Sequence, residues 1–114
     1  MTQSAINEGN ALIAEFLGWK KEGPPKHEYY QAQTGDFFEY THYRPSEMKF
    51  HKDCNWMRLV WENFRDLKYT EETPMKLHLN YVARLSQDFA YGTLEEFFHN
   101  ICIAIKWHNT LLIK

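Results

Sequence analysis

Apolar residues near the start of the chain recur every three or four positions, the spacing of one face of an α-helix. The residues of this stripe are Ile6, Leu12, Ile13, Phe16 and Leu17. They predict a helix over Ser4–Leu17, closed by Gly18, because glycine readily takes the left-handed conformation that ends helices. The next segment, Lys20–Lys26, contains a glycine and two prolines and is predicted to be a loop.

A second helix is predicted over Asp53–Leu67, with Asp53 as its N-cap. Its apolar positions cover more than half of the circumference: Trp56, Met57, Leu59, Val60, Trp61, Phe64 and Leu67. An apolar arc this broad implies burial on several sides of the helix, or a partner that covers it.

The last helix begins with Thr93 and Glu96, the spacing of a capping box, and runs towards the C-terminus. Its predicted buried stripe is Leu94, Phe97, Phe98, Ile101, Ala104, Ile105, Leu111 and Leu112. His108 falls on this stripe. We expect it to be a half-exposed ring near the chain end, and the alternative is a buried polar anchor.

Two segments have the pattern of β-strands. Asp36–Tyr43 is rich in aromatic and β-branched residues. Met75–Leu79 alternates apolar and polar positions, which predicts a strand with one face in water. The resulting order, α-β-α-β-α, predicts an α+β fold in which three helices pack on a small sheet, an αβα-type sandwich. The 114 residues are expected to form a single globular domain.

Composition narrows the range of functions. Hydrophobic residues make up 44% of the chain, enough for a core, and the formal net charge is -2. Lys and Arg are spread along the chain without a basic patch, so nucleic acid is an improbable partner. No apolar run approaches the length of a membrane span, and the first residues do not have the pattern of a signal peptide. Two cysteines inside predicted helices favour a reduced, cytoplasmic protein.

The familiar motifs of enzymes and cofactor sites do not occur, so we expect no catalytic residues, metal or cofactor. His51 and Cys54 are three residues apart, as are His99 and Cys102, and zinc uses both residue types. Neither pair has the spacing of a zinc finger, and free cysteines are common in cores. Cys54 as a nucleophile is opposed by the negative charge of Asp53 beside it.

The aromatic strand contains the candidate ligand site. Tyr40, His42 and Arg44 alternate along it and should lie on one side, with Tyr29, Tyr30 and Lys49 not far away in the sequence. Stacking rings beside a guanidinium are suited to a flat anionic ligand such as a nucleotide. An Arg over a Tyr is also a common feature of ordinary sheet edges, and this alternative stays open.

The last helix contains a candidate interface. Ile103 and Trp107 are one turn apart and far from the centre of the buried stripe. Together they form a contiguous apolar patch, and Trp is often an interface anchor. Either a loop of the same chain, such as the Pro24–Pro25 segment, covers this patch, or a second copy does. The sequence favours a homodimer slightly, because the second helix also has a broad apolar arc.

Three segments resemble short phage and prophage proteins. They are ALIAEFLGWK at Ala11–Lys20, FHKDCNWMRLVWENF at Phe50–Phe64 and AIKWHN at Ala104–Asn109. The corresponding patterns in those proteins are LIAEFMGW, YHTSWDWLMPVVEKI and EFIKWYN. The segments cover about a quarter of the chain, and Cys54 and His108 stand where the patterns have Trp and Tyr. The resemblance implies a small αβα-type sandwich and a phage accessory role, with no active site to transfer.

This setting and the absence of enzyme motifs lead to one functional expectation. The chain is expected to act in the cytoplasm of an infected bacterium as a counter-defence protein, binding a host defence protein or sequestering its nucleotide signal. The alternative is a structural or regulatory accessory protein that binds phage or host proteins during replication or assembly.

Overall fold

The structure is a computed structural model that describes residues 1–32 and 42–112. Helix α1 spans Gln3–Phe16, and three short strands follow: β1 at Lys20–Glu22, β2 at Tyr29–Gln31 and β3 at His42–Tyr43. Three helices complete the described part of the chain: α2 at Cys54–Arg65, α3 at Glu72–Tyr91 and α4 at Leu94–Thr110. The mixed α+β class is therefore confirmed.

The sheet is antiparallel with the order β1-β2-β3. Lys21 pairs with Tyr30, and Tyr30 pairs in turn with Tyr43. The loop prediction for Lys20–Lys26 is wrong over its first three residues, because Lys20–Glu22 forms β1. Gly23 allows the chain to reverse direction between β1 and β2. Its φ is +93°, and a Cβ there would lie 2.6 Å from the carbonyl oxygen of His27.

The strand predicted over Met75–Leu79 is wrong, since those residues lie inside the 20-residue helix α3. The order along the described residues is therefore α-β-β-β-α-α-α rather than α-β-α-β-α. Buried and half-buried positions in α3 fall at helical intervals: Pro74, His78, Tyr81, Val82, Leu85 and Asp88. Pro74 lies in the first turn, where a backbone N–H has no partner within the helix and its absence costs little.

Three predicted helix ends are confirmed, namely the starts of α2 and α4 and the end of α1 next to Gly18, whereas α2 ends at Arg65 rather than at Leu67. The side chain of Asp53 accepts from the Asn55 N–H at 2.8 Å, and that of Thr93 accepts from the Glu96 N–H at 3.1 Å. Gly18 follows α1 with a φ of +79°, and the Trp19 N–H then donates back to the Ala14 carbonyl at 3.0 Å. These bonds satisfy backbone groups that a helix end leaves without partners.

Helix α2 has a broad buried arc because the same chain covers it from several directions. The ring of Trp56 lies 5.0 Å from those of Tyr43 and Phe50, and Trp61 lies 6.0 Å from Phe97. Burial by the same chain on several sides is therefore enough to explain the broad apolar arc of α2, without a covering partner.

The segments Ala11–Lys20, Phe50–Phe64 and Ala104–Asn109 meet in this core. Phe16 contacts Phe64 at 6.3 Å between ring centroids and His108 at 5.8 Å. Trp19 lies 5.5 Å from Phe50 in the same way. Most of these side chains are packing residues.

Candidate functional site

The outer face of the sheet contains a shallow depression of about 260 Å³, lined by Tyr29, His42, Arg44 and Glu47. Side chains alternate along a strand, and the register places Tyr29 diagonally across from His42. Their ring centroids lie 5.4 Å apart in an edge-to-face arrangement. The predicted site residues His42 and Arg44 are therefore brought together, whereas Tyr40 lies outside the described residues.

Arg44 connects this depression to a second one of about 350 Å³, whose lining includes Lys26 and His27. The turn Pro45–Glu47 follows Arg44 directly and holds its backbone in place, since the Arg44 N–H donates to the Glu47 carboxylate at 2.8 Å. Glu8 and Glu28 line the second depression as well. We call the two together the Arg44 groove; its walls contain charges of both signs.

Sequence reasoning placed Tyr29 and Tyr30 near the site, and the structure separates them. Tyr29 lies on the outer face, while Tyr30 points inward with 2% of its surface exposed. The hydroxyl of Tyr30 donates to the Glu15 carboxylate at 3.0 Å. Burial, followed by the bond to Glu15, raises the pKa of Tyr30, so its hydroxyl stays protonated. Lys26 and His27 were not predicted as site residues. They are distant from Arg44 in sequence, and the β1–β2 hairpin brings them to the same depression.

A cleft of about 530 Å³ lies between α1 and α4. Its apolar lining includes Leu12, Phe98 and Cys102, and Glu8 and Lys106 stand at its sides. We call it the α1–α4 cleft. A volume of this size is within the range of small-molecule sites. Neither His42 nor Arg44 lines it, whereas Tyr30 does.

The end of the α1–α4 cleft nearest the sheet has its own charge network. The Lys21 ammonium lies 3.0 Å from the Glu28 carboxylate. Its hydrogen bond and attraction to Glu28 raise the pKa of Lys21, and the charge of Glu15 adds to this effect. Both carboxylates at this end therefore have partners already: Glu28 has Lys21, and Glu15 accepts from the Tyr30 hydroxyl.

The two cysteines occupy different environments. Cys102 is buried, with its Sγ 3.9 Å from the Gly9 carbonyl oxygen, and burial raises the pKa of its thiol to about 12. At neutral pH Cys102 is therefore a thiol rather than a nucleophilic thiolate. Cys54 is exposed. Among residues 1–32 and 42–112, no three His, Cys, Asp or Glu side chains are grouped so that they could hold a metal ion.

The candidate interface residues have different surroundings. Trp107 is half-buried, and α3 together with the segment before it covers its ring, which lies 5.0 Å from Tyr81 and 5.7 Å from Tyr69. The cover comes from the same chain, although from α3 rather than from the Pro24–Pro25 segment. Ile103 stays 45% exposed. Self-association through Ile103 and Trp107 remains a prediction.

His108 belongs to a polar group inside this aromatic cluster. Its Nδ1 lies 2.8 Å from the Tyr69 hydroxyl, so it is a half-buried anchor rather than only an exposed ring. Burial raises the pKa of Tyr69 to about 12, which keeps its hydroxyl protonated. Nearby, Nε2 of the buried His78 lies 2.8 Å from the Phe64 carbonyl and donates to it, because a carbonyl can only accept.

We expect the stability of the protein to fall as the pH drops below about 6.5, the ordinary histidine pKa. Burial and then the positive charge of His78 lower the pKa of His108, and burial also lowers that of His51. The unfolded chain therefore binds more protons in this window, and stability rises with pH until both histidines are neutral in both states. Urea unfolding between pH 5 and pH 8 measures the effect. H108F should show a shallower dependence, and an unchanged dependence would contradict this role of His108.

No protein-family model, curated protein or solved structure matches the chain. Within the described residues, no helix combines the length and apolar character needed to cross a membrane.

Proposed function

We propose that this chain is a phage accessory protein that counters host defence by binding, and that the Arg44 groove takes an anionic nucleotide signal. The single observation that carries the nucleotide step is the position of Arg44. Its side chain lines two adjoining depressions, and it takes part in none of the ion pairs of the described residues. An exposed guanidinium that lines a solvent-filled depression can bind a phosphate through two parallel hydrogen bonds.

The surrounding side chains support the same ligand class. The rings of Tyr29 and His42 offer a surface for a base, and Lys26 adds positive charge on the far side of Arg44. Glu8, Glu28 and Glu47 reduce the net positive potential of the groove. Binding of an anion therefore depends on direct contact with Arg44 and Lys26, and added salt should weaken it by screening those contacts.

The setting of the proposal comes from the three segments that resemble phage proteins, which also pack together. Their contacts, Phe16 with Phe64 and Trp19 with Phe50, support a common core in chains of this kind. In this setting the protein would act in the cytoplasm of the infected bacterium.

Plating of a phage that is blocked by a nucleotide-signalling defence system tests the proposal. Expression of the wild-type chain in the host should raise plating efficiency, and R44A should abolish the gain while accumulating to the same level. K49A is the matched control, because Lys49 is an exposed cation that lines neither depression. Absence of rescue across a broad panel of defence systems would overturn the proposal. Equal rescue by R44A would overturn the nucleotide step.

A structural or regulatory accessory protein is the second candidate, favoured by the apolar side chains that α3 exposes. Met75 is 43% exposed, Leu79 58% and Tyr91 91%. Exposed apolar side chains along a long helix are suited to a protein partner. Affinity capture from infected cells that yields a phage replication or virion protein as the dominant partner would support this candidate over counter-defence.

A further inference from the structure

The α1–α4 cleft has a wall of one charge facing a wall of the other. The carboxylates of Glu8 and Glu15 belong to the α1 side, and the ammonium of Lys106 belongs to the α4 side. At one end of the cleft the N-terminal amine of Met1 pairs with Glu95 of α4, and none of the other ion pairs among the described residues joins the α1 side to the α4 side. A carboxylate and an ammonium on opposite sides of an open cleft can each bind the opposite charge of a zwitterionic ligand.

The relative direction of the two helices sets which charges face each other. The N-terminal amine of Met1 contacts Glu95, Gly9 adjoins Phe98, and the Phe16 ring contacts His108. Helices α1 and α4 therefore run side by side in the same direction. Glu8 precedes Gly9 and therefore lies at about the same height along the helix pair as Phe98 and Cys102. Lys106 lies about one helical turn beyond Cys102.

The charges around the cleft differ in whether they already have partners. Glu15 accepts from Tyr30 and lies near Lys21, whose ammonium pairs with Glu28. Glu8 and Lys106 take part in none of the hydrogen bonds or ion pairs found among the described side chains. One carboxylate and one ammonium are thus available to a ligand.

The floor between these charges is apolar. Leu12, Phe98 and Cys102 line it, and Gly9 brings the α1 backbone down to the Phe98 ring. A protonated thiol and an aromatic ring favour an apolar group over a charged one. The floor is therefore suited to a hydrocarbon side chain.

We propose that the α1–α4 cleft is a second binding site, for a zwitterion with an apolar side chain, such as a free amino acid. Its ammonium faces Glu8, its carboxylate faces Lys106, and its side chain lies on Phe98 and Cys102. A volume of about 530 Å³ accommodates such a molecule with room for water. This site shares four lining residues with the Arg44 groove, namely Glu8, Ala11, Glu28 and Pro45, but does not include Arg44.

Three probes with the same ring and different charges test this site: L-phenylalanine, phenethylamine and 3-phenylpropionate. Titration calorimetry at low salt should show phenylalanine binding at least about tenfold more tightly than either single-charge analogue. E8Q should weaken the two probes that have an amine and spare 3-phenylpropionate. K106Q should weaken the two probes that have a carboxylate and spare phenethylamine.

E62Q is the matched control, because Glu62 is an exposed carboxylate on α2 that lines no part of the cleft. It should leave all three affinities unchanged, and so should R44A, which separates this site from the nucleotide proposal. Phenylalanine that fails to bind, or that binds no better than phenethylamine, would overturn the proposal. Loss of affinity with E62Q equal to that with E8Q would overturn it as well.

Discussion

Replacing Phe64 with alanine is expected to lower the free energy of unfolding by about 3–5 kcal/mol, the usual range for a large buried aromatic residue. Phe64 is fully buried, and its ring contacts Phe16 of α1 and both His78 and Tyr81 of α3. The carbonyl of the same residue accepts from the His78 ring. The substitution therefore opens a cavity where three helices meet.

The matched control is L79A, because Leu79 lies on α3 and is 58% exposed. An exposed position without such packing should change stability by less than about 0.5 kcal/mol. Urea unfolding followed by circular dichroism measures both variants. If Met75–Leu79 were a strand with Leu79 turned towards the core, L79A would cost as much as F64A, and the helical assignment of α3 would be contradicted.

Adding a single methyl group at Gly9 should also destabilise the protein strongly, by up to about 3 kcal/mol. A Cβ at this position would lie 2.4 Å from the tip of the Phe98 ring and 3.1 Å from the Cys102 sulfur. Phe98 is 2% exposed, so its ring has little space to move away. The close approach of α1 to α4 requires glycine here.

A double-mutant cycle isolates this contact. G9A should cost much less in a protein that also has F98L, because the smaller side chain gives back the space that the methyl group needs. Gly18 provides the control: its φ is +79° and no atom lies within 4 Å of an added Cβ. G18A should be destabilising through backbone strain and additive with F98L. Equal coupling of F98L to G9A and G18A would contradict the steric explanation.

Three of the helices could be predicted from the sequence because their signals are local. Asp53 and Thr93 cap the helices that follow them, and Gly18 ends the first. Helix α3 was missed because Met75–Leu79 happens to alternate over a short window. The longer series from Pro74 to Asp88 has the helical period, and Pro74 is acceptable in a first turn.

Strand β1 and the two proposed binding surfaces depend on contacts distant in sequence. Lys20–Glu22 becomes a strand by pairing with β2, which a short glycine- and proline-rich stretch does not reveal. Alternation correctly places His42 and Arg44 on one face, but Lys26 reaches Arg44 through the hairpin. The α1–α4 cleft depends on how Gly9 packs against Phe98, which no local pattern encodes.

Titration calorimetry with a panel of linear and cyclic nucleotides tests the central claim most directly, namely that the Arg44 groove binds an anionic nucleotide. The wild-type protein should bind at least one member of the panel at low salt and lose affinity as salt is added. R44A should weaken that binding at least about tenfold while K49A leaves it intact, in line with the cost of losing a charged partner. Absence of binding across the panel, or equal affinity of the wild-type protein and R44A, would contradict the claim.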